Sequence, residues 1–162
     1  MAVHKLHLDD FDKIDYQLIA IHTSLEDYLL AYSINQKLPV VLKRSVCNIH
    51  ISTKNGETQF TCFSFQDKKI GATLNLIQNK NDVLHSEQRL NEGLFAENNS
   101  KFSMQTYFIP EFKKVDFFLK IENGADYMDT SKITKELKTI KGISTLYAVD
   151  VEKIKSKNNL IF

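Results

Sequence analysis

A strictly alternating stretch at residues 115–122 constrains the fold more than any other part of this chain. Every second residue there is apolar, and the residues between them are mostly polar. The apolar set is Val115, Phe117, Leu119 and Ile121, and the other set is Asp116, Phe118, Lys120 and Glu122. Because side chains of a strand point alternately to its two faces, the pattern predicts a half-buried strand. The chain therefore has to build a sheet with a covered face around this segment.

The chain before this stretch predicts a strand followed by a helix. Residues 16–22 are apolar on both faces and rich in β-branched side chains, which favours a buried strand. Residues 25–38 carry a wide apolar face, which predicts a helix lying on the sheet. Ser24 is in position to cap this helix, and Pro39 ends it.

A tight turn at Asn55-Gly56 organises the next region, since a type I′ hairpin needs positive φ at both central positions. The strands predicted here and in the alternating region are 46–52, 58–65, 70–77, 102–109 and 115–122. The last two are predicted to pair with each other. The polar segment 79–101 is too long for a structureless loop in a compact domain, so a short helix is predicted at 83–90.

The remaining chain predicts a second helix and a last strand. The helix begins near Thr130 or Ser131 and ends at Gly142, with lysines opposite its apolar stripe. Residues 143–151 alternate and predict the strand. This order of elements predicts an α+β fold in which two main helices pack on an antiparallel sheet. A length of 162 residues predicts a single domain over residues 1–162.

The segment that leads into the alternating strand reads Ile109-Pro110-Glu111-Phe112-Lys113-Lys114-Val115-Asp116-Phe117. It resembles the signature of the IPExxxVDY family, a group of small proteins found largely in Bacteroidetes, and the chain length fits that family as well. The resemblance implies no particular activity. Phe117 stands where the family usually has Tyr, so an aromatic packing role is expected there and acid-base chemistry is not.

Two interpretations of the signature remain open. In the structural one, Pro110 removes a backbone donor and favours an extended Ile109, which suits the end of a strand and the start of a connection. Val115, Asp116 and Phe117 then belong to a core strand. In the functional one, Glu111 and Asp116 form a carboxylate pair.

The best candidate for a ligand site is His22-Thr23-Ser24, where a predicted strand feeds a helix N-terminus. Free backbone amides, two hydroxyl groups and an imidazole are groups that hold an anion. The simpler alternative is a helix cap beside a hydrogen-bonded histidine. The glycines are isolated from one another, so no Gly-rich phosphate loop is present in the sequence.

Composition and motifs argue against several classes of protein. The net charge is +1, from 21 basic and 20 acidic residues, so nucleic acid is not an expected partner. Cys47 and His50 have a C-x-x-H spacing, but only Cys62 lies nearby as a third ligand, so no metal or cofactor is expected. No apolar run approaches the roughly 20 residues that span a bilayer. With two cysteines and no leader pattern, a cytoplasmic protein is expected.

Two functional hypotheses follow. The first is a non-catalytic protein-interaction or adaptor module, which predicts a flat apolar surface and includes a possible homodimer through Leu160, Ile161 and Phe162. The second is a small ligand-binding protein or enzyme with the anion site at His22-Ser24, which predicts a pocket at the strand-to-helix junction.

Overall fold

The computed structural model describes residues 16–46, 48–53, 56–86, 101–124 and 128–162. The strands are β1 (Tyr16–Thr23), β2 (Lys43–Arg44), β3 (Ile49–Thr53), β4 (Gly56–Phe60), β5 (Cys62–Gln66), β6 (Thr73–Gln78), β7 (Lys80–Ser86), β8 (Lys101–Tyr107), β9 (Phe117–Glu122) and β10 (Ile143–Ala148). The helices are α1 (Asp27–Lys37) and α2 (Thr130–Leu137), and short 3-10 helices are formed by Pro110–Phe112, Val151–Lys153 and Lys157–Leu160.

The predicted α+β fold with an antiparallel sheet is confirmed. The main sheet has six strands in the order β10-β1-β9-β6-β5-β2, and all of its pairs are antiparallel. Two separate hairpins, β3–β4 and β7–β8, lie outside it. Both helices pack on one face of the sheet, where their apolar residues meet those of β1, β6 and β9. The helical residues of this core include Leu30, Ile34, Ile133 and Leu137.

The opposite face of the sheet is covered as well. Leu18, Ala20, Ile77 and Phe118 pack there against the β3–β4 hairpin, the signature turn and the C-terminal segment. The covering residues include Ile49, Phe60, Ile109, Ile154 and Leu160. The prediction that β9 is half-buried is therefore wrong, since Phe118 and Lys120 on its second face are also enclosed. The reason is that segments distant in sequence close this face.

The region 46–107 differs from the predictions in its pairing. Thr53 pairs with Gly56, so the hairpin is confirmed, but Gly56 is a strand residue and residues 54–55 lie outside the described residues. The predicted strand 58–65 is interrupted at Thr61, which lets β4 join the hairpin while β5 joins the main sheet. The helix predicted at 83–90 is wrong for residues 83–86, which belong to β7, and residues 87–90 are outside the described residues.

The predicted pairing of strands 102–109 and 115–122 is also wrong. β8 pairs with β7, whereas β9 lies between β1 and β6. Both faces of β9 are buried, Lys120 included, and a strand buried on both faces lies in the interior of a sheet rather than in a two-stranded hairpin. The 3-10 turn at Pro110–Phe112 carries the chain from one sheet to the other.

Candidate functional site

The end of β1 is anchored by a side chain of the signature, 93 residues away in the chain. The Thr23 amide donates to Asp116 Oδ2 at 2.9 Å, and Asp116 Oδ1 accepts from Lys80 Nζ at 2.6 Å. The Thr23 hydroxyl donates to the Gly142 carbonyl at 2.8 Å and accepts from the Leu25 amide at 3.1 Å. The structure thus brings together the strand-to-helix junction and the signature aspartate.

The prediction that Ser24 caps α1 is wrong. The N-cap residue is Glu26, whose side chain makes no cap hydrogen bond, and Asp27 Oδ1 accepts from the Tyr28 amide at 2.7 Å in the first turn. The Ser24 side chain is exposed, and its amide donates to the Gly142 carbonyl at 3.2 Å. Gly142 has φ +98°, and a Cβ on it would lie 2.8 Å from Leu25. Leu25 therefore packs closely over Gly142, its amide donates to the Thr23 hydroxyl, and α1 begins at Asp27.

His22 takes part in a different contact from its two neighbours. Its ring stacks on that of Tyr147 with centroids 5.8 Å apart, and its carbonyl accepts from Ser144 Oγ at 3.0 Å. A junction cavity of about 310 Å³ opens next to it, but His22 does not line that cavity. Of the three predicted ligand residues, the structure brings Thr23 and Ser24 to one cavity and leaves His22 out.

The charges around the junction cavity give an anion no advantage. The residues that line it are Thr23, Ser24, Leu25, Glu26, Asp27, Gln78, Lys80, Asp116 and Phe117. Arg44 lies 3.5 Å from Asp27 outside the lining, so three carboxylates face two cations and the sum is one negative charge. The N-terminus of α1 adds only about half a positive charge. The anion site stays a prediction, and these charges disfavour it.

The two signature carboxylates bind different parts of the molecule. Glu111 Oε1 accepts from the amides of Lys155 and Ser156 at 2.8 Å each, and Oε2 accepts from the Ser156 hydroxyl at 2.6 Å. Burial alone would raise the pKa of Glu111, but these hydrogen bonds stabilise the carboxylate and lower its pKa below the ordinary value. In the described chain Glu111 holds the C-terminal segment and Asp116 holds the end of β1, and they share no hydrogen-bond partner.

Asn79, which the sequence patterns did not single out, organises the signature turn. Its side-chain amide donates to the carbonyls of Phe112 at 2.8 Å and Val115 at 2.9 Å, and its Oδ1 accepts from the Ile109 amide at 2.8 Å. Asn79 is fully buried, and its backbone amide donates to the Asp116 carbonyl. Asn79 lies between two consecutive strands, β6 and β7. That position was the only feature of the sequence that could have indicated its structural role.

A groove of about 520 Å³ lies on the face of the sheet opposite the helices. One wall consists of five consecutive residues at β3, from Asn48 to Ser52. The floor is formed by β5 and β6, and the other wall by the C-terminal segment. The remaining lining residues are Ser45, Cys62, Ser64, Asn75, Asn158, Asn159, Ile161 and Phe162. The lining includes no Asp, Glu, Lys or Arg side chain, and the charged residues next to it, Lys120 and Glu122, contact the lining residues Phe162 and Asn75.

The cysteine in this groove is not poised for nucleophilic chemistry. Burial raises the pKa of the Cys62 thiol to about 11, although Lys120 acts in the opposite direction. The thiol is therefore protonated at neutral pH, and the thiolate is the reactive form. His50 is exposed in the same groove, and Cys47 lies outside the described residues. Within the described ranges, no group of three or more metal-binding side chains lies together.

Lys120 on β9 is a buried cation with a complete set of partners. It is 2% exposed and donates to Glu122 Oε1 and to the Leu160 carbonyl at 2.6 Å. Its ammonium group lies 5.1 Å from the Tyr16 ring centroid and 4.6 Å from that of Phe162. Lys120 therefore ties the C-terminal segment to the central strand.

The outer face of α1 carries large apolar side chains in solvent. Tyr28 and Tyr32, one helical turn apart, are 60% and 62% exposed. Leu29 lies between them on the same side of the helix, and Val41 is exposed in the segment that follows. A solvent-facing helix surface is ordinarily polar, so this aromatic face is a candidate interaction surface.

Comparisons with protein-family models, with curated proteins and with solved structures gave no match to this chain. In the part of the chain that the structure describes, no helix is both long enough and apolar enough to cross a membrane.

Proposed function

We propose that this protein is a non-catalytic protein-interaction module that binds a partner protein through the aromatic face of α1. The observation that carries the proposal is the exposure of Tyr28 and Tyr32 on neighbouring turns of one helix. Tyrosine supplies a large contact area at a small cost in side-chain entropy, and it is enriched at the energetic centres of interfaces. Leu29 extends the same surface, which favours a partner with an apolar recess.

The proposed setting is the cytoplasm, because the described cysteine, Cys62, is free and buried rather than part of a disulfide. Membership of the IPExxxVDY family is likewise a proposal, supported by the residues of the signature. The structural role of Asn79 and Asp116 around that signature agrees with an interpretation of it as scaffold.

Affinity capture from a native lysate with three baits tests the proposal. The baits are the wild type, a Tyr28→Ser/Tyr32→Ser variant, and a Lys132→Ser/Lys135→Ser control on the exposed side of α2. We expect the wild type and the control to capture the same partner and the tyrosine variant to lose it, with all three melting at similar temperatures. Equal capture by all three, or loss only with the lysine variant, would contradict the proposal.

Self-association through the C-terminus is the second candidate, because Ile161 and Phe162 are 78% and 53% exposed. Leu160 does not contribute to such a surface, since it is buried in its own chain. Light scattering of the wild type and an Ile161→Ser/Phe162→Ser variant measures this directly: a dimer that becomes a monomer supports it, and a monomeric wild type refutes it. The alternative of an anion-binding enzyme at Thr23 and Ser24 has a cavity of suitable size but lacks favourable charge.

A further inference from the structure

We propose that the groove beside β3 binds an extended, uncharged peptide segment of a partner protein, which adds as an extra strand to the edge of β3 that no described strand occupies. This site lies on the opposite face of the sheet from α1 and is separate from its aromatic face. Two binding surfaces on opposite faces are the arrangement that an adaptor needs.

The edge of β3 that faces the groove is open among the described strands. β3 pairs with β4 and with no other described strand. No backbone hydrogen bond joins residues 48–52 to the rest of the described chain outside this hairpin. Both faces of the strand contribute to the groove lining, from Asn48 through Ser52, so its backbone edge borders the groove. An unpaired edge of this kind is a template for another strand.

The hydrogen-bonding groups of His50 point to this open edge. Thr53 and Gly56 close the hairpin with two residues between them, which makes them a hydrogen-bonded pair, and alternation along the register makes His50 and Gln59 a pair that does not exchange backbone hydrogen bonds. In an antiparallel pair, two opposite residues either exchange both backbone hydrogen bonds or turn both groups outward. The amide and carbonyl of His50 therefore point into the groove. Ser52 lies two residues further along β3, so its amide and carbonyl point in the same direction as those of His50.

The dimensions and charge of the groove define the peptide. Five residues of edge span roughly 16 Å at a strand rise of about 3.3 Å per residue, and 520 Å³ lies within the range of ligand-binding cavities. The lining carries no Asp, Glu, Lys or Arg, and the charges next to it, Lys120 and Glu122, are paired with each other, so a charged side chain entering the groove would lose water without gaining an unpaired counter-ion. The floor has the small polar residues Ser64 and Asn75, which leave room for alternate side chains of the peptide. The occupant is therefore an uncharged segment.

Amide hydrogen exchange tests the open edge and the binding together. In the free protein, the amides of Ile49 and Ile51 should be protected by β4, whereas those of His50 and Ser52 should exchange rapidly. The probes are three capped pentapeptides. The first alternates Thr with Val, the second Ser with Ile, and the third Asn with Leu. Near saturation, at least one should slow exchange at His50 and Ser52 by about tenfold or more. A matched peptide with Glu in place of each Thr should give no protection.

Three variants separate the backbone contribution from that of the side chain. His50→Pro removes one outward amide without removing a bond to β4, and we expect about tenfold weaker binding of the probe. His50→Ala keeps the amide and should bind like the wild type. Ser64→Lys places a charge in the floor and should also weaken binding by about tenfold or more. Circular dichroism checks folding, and Ser64→Lys decides the outcome if the proline variant does not fold.

Several results would overturn the proposal. Protection of His50 and Ser52 in the free protein at every concentration would mean that a segment of the same chain already pairs with β3. Protection that rises with protein concentration would mean that a second copy occupies the edge. Protection by a neutral disaccharide such as maltose, with none by the three peptides, would assign the groove to another class of ligand. If His50→Pro and Ser64→Lys both bind the probe peptide as tightly as the wild type does, the peptide binds at a site other than this groove.

Discussion

The two faces of the main sheet are closed by different kinds of structure. One face is covered by α1 and α2, whose buried residues recur at helical spacing. The other is covered by a hairpin, a 3-10 turn and a C-terminal segment, which side chains such as Glu111 and Lys120 hold in place. Separate pieces meet less evenly than two helices do, and the larger groove lies on their side. Both faces combine apolar packing with polar anchors: Asn35 holds the segment that follows α1 on the helix face, and Glu111 and Lys120 hold the C-terminal segment on the second face.

Phe117→Ala and Phe118→Ala compare the packing of the two faces, because these neighbours on β9 point in opposite directions. Each change should lower the free energy of unfolding by about 3–5 kcal/mol through the cavity it leaves. The loss for Phe118→Ala should lie at the upper end of this range. Phe118 is fully enclosed, and its ring packs edge-on against that of Phe112 with centroids 5.9 Å apart. Urea denaturation measures both. A cost near 1 kcal/mol for Phe118→Ala would show that the second face is only loosely closed.

Lys120→Met tests the strongest polar anchor of the second face. The change keeps much of the packing but leaves the Leu160 carbonyl and Glu122 without their donor, so we expect a loss of about 2 kcal/mol. The matched control is Lys114→Met, at an exposed position, which should alter stability by less than about 0.5 kcal/mol. Thermal or urea unfolding gives both values, and equal effects would exclude a special role for Lys120.

Glu111→Gln tests the second anchor and has a defined pH dependence. We expect a loss of about 1 kcal/mol at pH 7, because three hydrogen bonds to a carboxylate become weaker. Since the folded protein lowers the pKa of Glu111, its contribution is fully present above the ordinary value of 4.5 and is lost as pH falls through the lowered value. The stability difference between wild type and variant should therefore shrink in acid. A difference that stays constant from neutral pH to about pH 3 would contradict this.

Thr23→Ala and Ser24→Ala give the smallest expected effects and test how the helix face is joined to the sheet. Thr23→Ala removes a hydroxyl that binds Gly142 and Leu25, and we expect a loss of about 1 kcal/mol. Ser24→Ala should cost less than about 0.5 kcal/mol, because its side chain is exposed and caps no helix. Thermal melts of the two variants are compared directly. A larger loss of stability for Ser24→Ala than for Thr23→Ala would indicate that Ser24 caps α1 after all.

Sequence patterns predicted elements whose signals are local. The strand β1, the start of α2 near Thr130, and the hairpin between β3 and β4 were correctly predicted from periodicity, helix start signals and turn chemistry. The same reasoning failed where the outcome depends on distant residues. Ser24 has the chemistry of an N-cap, but Ser24 and Leu25 contact Gly142, far away in the sequence, and α1 begins only at Asp27.

The candidate sites show the same division. Thr23 and Ser24, which the sequence singled out as ligand residues, line the junction cavity, and their role in binding a ligand stays a prediction. Asp116 is anchored to Thr23 across 93 residues of sequence, a contact that no local pattern contains. Asn79 and the groove beside β3 were missed, because a buried asparagine and an unpaired edge become visible only when the neighbouring elements are in place.

Alternation and helical spacing were enough to predict the class of fold, because they indicate where most of the strands and both helices form. The tertiary structure alone decided which elements are neighbours. It placed β9 at the centre of the sheet, enclosed Lys120 beside Glu122, and left one edge of β3 without a described partner. These outcomes arise from contacts between segments far apart in the chain, and the burial of one segment by another is not encoded in the periodicity of either.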